Sequence, residues 1–142
     1  MLKSIAAVIL GYIAMAAIVF STLTGSYLLL GPDRVFHPGT YDVTAFWIIL
    51  MIVFSVVSAI VGGWVCLKIA KKHSAVVGLA VLALVLGVIS AFFSGPVSAA
   101  ARTGDVPNLQ AMMNSKEPAW FAWLLPVIGF SGVLIGGKSS RR

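Results

Sequence analysis

Lys68-Ile69-Ala70-Lys71-Lys72-His73 decides how the rest of the chain is read. These residues hold three of the chain's ten basic side chains and form the only charged cluster between residues 43 and 101. Apolar runs without a single charge flank them, residues 43–67 before and 74–97 after. The earlier run is rich in Ile, Val and Phe, a composition that suits a buried strand in water. Its 25 residues exclude that reading, because strands seldom exceed about ten residues whereas a helix needs about 20 apolar residues to cross a bilayer. The stretch is therefore a tight polar turn, 68–73, joining two membrane-spanning helices.

Composition supports the same reading. A length of 142 residues would suit one soluble domain. Yet 60% of the residues are apolar and 10% charged, against roughly 45–50% and 25% in ordinary globular proteins. So little polar surface cannot keep a folded chain in water, and lipid is the solvent that fits. The net charge of +6 raises the question of nucleic acid. The basic residues sit at the ends of apolar runs, where lipid headgroups lie, rather than along one face, so nucleic acid is not an expected partner. The single cysteine, Cys66, excludes an intramolecular disulfide and any cysteine-based metal cluster.

Outward from the turn, two more spans complete the set. Residues 5–30 carry no charge; at ~1.5 Å per residue this run reaches about 39 Å, more than the ~30 Å hydrocarbon core, so it tilts or rises into the headgroups. It exceeds the 7–15 residues of a signal-peptide apolar region, which favours a retained helix. Gly31-Pro32 ends it. The fourth run is the shortest and carries Pro126 near its middle. Proline is tolerated in membrane helices at the expense of a kink. The expected helices cover about 4–30, 43–67, 74–97 and 118–136. Loops 31–42 and 98–117 lie at one end, the turn 68–73 and a basic tail 137–142 at the other. Within the second loop, Pro107 to Met113 suits one or two interfacial helical turns burying Leu109, Met112 and Met113, with an irregular loop as the alternative.

Charge fixes the expected orientation. With both termini inside, the inner side holds Lys3, Lys68, Lys71, Lys72, Lys138, Arg141 and Arg142 and no acid. The outer loops hold Arg34, Arg102 and Lys116, together with all four acids, Asp33, Asp42, Asp105 and Glu117. Cytoplasmic loops carry the excess of Lys and Arg. The expected fold is thus an all-α integral membrane protein, an antiparallel bundle of four transmembrane helices with both termini cytoplasmic. Lys68, Lys71, Lys72, Lys138, Arg141 and Arg142 are the candidate contacts to lipid headgroups or to a partner.

Helices in lipid associate through close packing of small residues rather than through apolar burial. Each span carries small residues at four-residue spacing: Ala17, Ser21 and Gly25; Ser55, Ala59 and Gly63; Gly87, Ala91 and Gly95; Gly132 and Gly136. These are the candidate packing faces, toward each other, a second copy or a different subunit.

The spans offer little chemistry. None holds an Asp, Glu, Lys, Arg or His, and intramembrane ionisable groups are what ion paths and proton relays use. Small multidrug exporters, comparable in size, depend on a glutamate in the first helix, which is missing here. His37 and His73 fall in turns on opposite sides, so haem ligation within the bundle is not expected. Asp33, His37 and Asp42 do not follow a metal-ligand spacing, and no metal or cofactor is expected.

The Gly62-Gly63-Trp64 stretch, followed by the 68–73 turn and the Ala/Val/Leu/Gly-rich third helix, resembles the small uncharacterised four-helix inner-membrane proteins of bacteria. The resemblance implies a bacterial inner (cytoplasmic) membrane and no particular activity. The expectation is a non-catalytic accessory or scaffold subunit of a larger membrane complex, in contact with lipid and with other subunits or copies of itself. A small homo-oligomeric transporter or channel for an uncharged solute is the alternative.

Overall fold

The structure, a computed structural model, describes residues 1–94, 101, 104 and 106–139. Among these residues it is all helical: α1 Leu2–Leu30, α2 Pro32–Val35, α3 Ala45–Ala70, α4 His73–Phe93, α5 Asn108–Asn114 and α6 Ala119–Ser139. Four of them, α1, α3, α4 and α6, are long and apolar enough to cross a membrane. With 29 residues, α1 is about 43 Å long at ~1.5 Å per residue.

The helix ends follow local chemistry. Gly31, at φ 73°, takes the left-handed exit from α1, and Pro32 then starts the short α2, where its missing N–H costs nothing. Thr44 caps α3, its hydroxyl accepting from the Trp47 N–H and donating to the Arg34 carbonyl. At its other end α3 runs three residues past the expected Leu67. Lys68 therefore sits on the helix, beside carbonyls that favour a cation, with its ammonium 5.1 Å from the Trp64 ring centroid. The chain reverses over Lys71 and Lys72 alone. Lys71 adopts the left-handed conformation at φ 53°, and its N–H donates to the Leu67 carbonyl. Pro126 lies inside a continuous α6.

Packing centres on α3 and α6. Helix α3 lies against α1 on one side and α6 on the other, and α4 leans mainly on α6. Two apolar cores result. One, toward the turn, gathers Ala7, Ala59, Cys66, Val76, Leu79, Ala80 and Val133. The other gathers Tyr27, Val35, Phe36, Tyr41, Trp47, Phe121 and their neighbours at the opposite end.

The second core is built largely from loop residues. The loop expected at 31–42 contributes Val35, Phe36 and Tyr41, all buried. Tyr27, on the last turn of α1, sets ring edges against Phe36 and Trp47 at centroid distances of 6.4 and 6.5 Å. Its hydroxyl donates to the Val106 carbonyl at 2.8 Å. Backbone pairing ties the two loops together: Val43 N–H donates to Lys116 O at 3.2 Å, and Lys116 N–H to Tyr41 O at 2.9 Å. The loop end is thus a cap with its own aromatic interior. In α5 the buried residue is Ala111, whereas Leu109 and Met113 are 69% and 73% exposed. Their apolar surface is not taken up by the chain's own described core.

Candidate functional site

The helix faces come first, because they decide which surfaces remain for a partner. Between α3 and α6 the small residues meet. A Cβ added to Gly63 would overlap the Val133 carbonyl, and one on Gly136 would overlap the Ile60 carbonyl. On Gly132 it would come within 2.6 Å of Ala59 Cβ. Backbones this close leave no room for a larger residue and bring weak Cα–H···O contacts into range. On α4, Gly87 accommodates the ring of Pro126, which a Cβ there would meet at 2.9 Å. Ala91 is buried, and Ser55 lines a cavity in the middle of the bundle.

Helix α1 differs. It meets its neighbours through Ala7 and Gly11, the latter against Leu79, Cys66 and Gly62. Ala17 and Ser21 are exposed, and nothing lies within 4 Å of a Cβ on Gly25. The stripe expected on this helix faces away from the other described helices. The Ala7–Gly11 pair carries the same four-residue spacing and was the available signal for the true contact. Gly95 lies outside the described residues.

Three hydroxyls inside the spans bond to their own helices, whereas Thr24 accepts from the Asn108 side chain of α5 at 3.3 Å. Thr22 donates to the Ile18 and Val19 carbonyls at 2.6 and 3.1 Å, Ser58 to Ser55 O at 2.9 Å and Ser131 to Val127 O at 2.7 Å. The mid-bundle cavity, about 260 Å³, is lined by Tyr12, Met15, Ser55, Ser58, Gly87 and Leu125 among others. It borders the middle of α1, from Tyr12 to Val19. Cys66 is fully buried, out of reach of an acylating enzyme.

The two ends of the bundle differ in charge. Lys68, Lys71 and Lys72 are exposed at the turn end. Lys138 joins them, because neighbouring Gly137 packs on Val76 near the start of α4. Arg141 and Arg142 lie outside the described residues. His73 Nδ1 is buried there without a hydrogen-bond partner among the described residues.

At the capped end a cleft of about 870 Å³ opens between the tip of α4, the start of α6 and the two loops. Its polar rim is His37, Asp42, Ser94, Ser115, Lys116 and Glu117; its apolar wall includes Val43, Ala91, Ala122 and Trp123. Desolvation by burial pushes the Glu117 carboxyl above its ordinary value of 4.5. Phe92 packs edge-on to Trp123, centroids 5.0 Å apart, where the cleft meets the helix surface. Of the three polar residues weighed as a metal set, His37 and Asp42 line this cleft, whereas Asp33 is exposed on α2. In the sequence Lys116 and Glu117 read only as loop charges, and Asp42 as a loop charge or a member of that metal set. Their convergence depends on the pairing of two loops far apart in the chain. No family model, no curated protein and no solved structure matches this chain.

Proposed function

We propose that this chain is a non-catalytic accessory or scaffold subunit of a larger membrane protein complex. It spans the bilayer as an antiparallel four-helix bundle with both termini on the cytoplasmic side of a bacterial inner membrane. The contact pattern supports the alternation of directions: along α4 and α6, Gly87 meets Pro126 while Val76 meets Gly137, so numbers fall on one helix as they rise on the other. Lys68, Lys71, Lys72 and Lys138 at one end, against Asp42 and Glu117 at the other, support the orientation.

One observation carries the subunit reading. The small residues of α3 and α6 are taken up inside the chain, whereas Ala17, Ser21 and Gly25 on α1 are uncovered. A face of this kind is suited to close approach by a further helix. Exposed apolar residues such as Ile13 and Phe20 flank it and extend the surface available. Purification from the native membrane in mild detergent, followed by mass measurement, tests this. The expected result is a defined complex with another polypeptide that is lost when Ala17 and Gly25 are both changed to Leu. A lone 14.9 kDa species would contradict it.

The mid-bundle cavity favours the second reading, a homo-oligomeric transporter or channel for an uncharged solute, since Ser55 and Ser58 give it polar atoms at membrane depth. Solute uptake by vesicles holding the folded protein is its test, and impermeable vesicles would count against it for each solute tried.

A further inference from the structure

The cleft at the capped end plays no part in the subunit reading. Three features of it belong together. It is large enough for a small-molecule site, at about 870 Å³. It has an electrostatic polarity: Asp42 and Glu117 supply carboxylates, while Lys116 supplies a positive charge beside the amino-terminal end of α6, the positive end of its dipole, which starts at Ala119. Among the described residues, the Asp42, Lys116 and Glu117 side chains form no ion pair or hydrogen bond with each other. Finally, its wall passes from polar to apolar within one helical turn, through Ala91, Ala122 and Trp123, and Phe92 and Trp123 carry that apolar surface out to the lipid-facing side of the bundle.

We propose that this cleft seats the phosphoethanolamine headgroup of an aminophospholipid, its phosphate at Lys116 and the start of α6, its ammonium at Asp42 and Glu117, and its acyl chains along Phe92 and Trp123. The carboxylates disfavour a bare anion and an anionic headgroup, because two acids outweigh one lysine. An ammonium pairs with both carboxylates, which form no ion pair among the described residues. Aromatic edges at the mouth suit the glycerol and first methylenes of a chain entering from the leaflet. The basic turn end, by contrast, attracts anionic lipid through charge alone.

The test uses the full chain reconstituted in vesicles of equal phosphatidylethanolamine and phosphatidylglycerol, extracted in mild detergent, with retained lipid quantified. Phosphatidylethanolamine is expected to be enriched about tenfold over phosphatidylglycerol, in keeping with one or two charge-assisted hydrogen bonds. Asp42→Asn with Glu117→Gln is expected to abolish the enrichment, and Lys116→Gln to lower the total lipid retained, because both lipids carry the phosphate. Lys71→Gln with Lys72→Gln, at the other end, leaves the enrichment unchanged. Helix content by circular dichroism confirms that each variant is folded; the Asp42 and Glu117 side chains form none of the loop-pairing bonds, which are backbone to backbone. Equal retention of the two lipids, or enrichment persisting in the folded double variant, would overturn the proposal. Displacement by millimolar inorganic phosphate or by tail-free glycerophosphoethanolamine would overturn the lipid as the source of the headgroup.

Discussion

Tyr27 shows how much one residue organises. It ends α1, packs on Phe36 and Trp47, and reaches across 79 positions to the Val106 carbonyl. Phenylalanine removes the hydroxyl and keeps the ring. Tyr27→Phe is expected to lower stability by about 1 kcal/mol, the net worth of a buried hydrogen bond whose acceptor is left behind, measured by reversible unfolding in mixed micelles. Glu117 makes a different residue-scale prediction. Its carboxyl holds a proton to higher pH in the folded chain than in the unfolded one, which releases it near 4.5. Above that value the native state binds more protons, so stability is undiminished below it and falls as pH rises through the native pKa. Glu117→Gln is expected to flatten this dependence in unfolding experiments run from acid to neutral pH. An unchanged slope would mean that the carboxyl is solvated. Neither residue announced its role in the sequence: nothing singled out Tyr27 within its apolar run, and Glu117 read as a loop charge, because their partners lie elsewhere in the chain.

At the scale of the helices, length made the spans legible. A 26-residue apolar helix such as α3 has no counterpart in a sheet, and the break at Gly31-Pro32 was equally plain. The end of α3 was not, because Lys68 reads as the start of a turn until Trp64 and the helix carbonyls are there to hold it. Small-residue spacing marked faces without saying what they face. Gly63 and Gly25 make the distinction measurable. Gly63→Leu forces side-chain atoms into the Val133 carbonyl, a backbone group that cannot swing away. A loss of about 3 kcal/mol is expected, at the upper end of overpacking effects, read as a lowered unfolding midpoint. A Cβ at Gly25 meets nothing within 4 Å, and Gly25→Leu is expected to change the isolated chain's stability by about 0.5 kcal/mol or less. Equal effects at the two positions would deny the α3–α6 seam.

For the whole molecule, charge is polarised along the bundle: lysines at the turn end, acids and a structured aromatic cap at the other. The proposed orientation predicts that, in a Cys66→Ser background, an impermeant thiol reagent added to intact cells labels Lys72→Cys poorly and Gly39→Cys fully, with lysis exposing position 72. The reverse pattern would invert the molecule. The sequence carried this polarity because seven of the ten basic residues border the apolar runs at the turn end and all four acids border them at the other. The cap and its cleft depend on pairing across more than 70 residues, which composition and spacing do not encode.

The uncovered face of α1 is where the subunit reading stands or falls. A photo-reactive amino acid placed at Ser21, irradiated in intact cells, tests it directly, with Val57 on the exposed face of α3 as the control. The expected result is a covalent adduct between position 21 and a different polypeptide, and lipid adducts alone from position 57. Lipid adducts alone from both positions would contradict it.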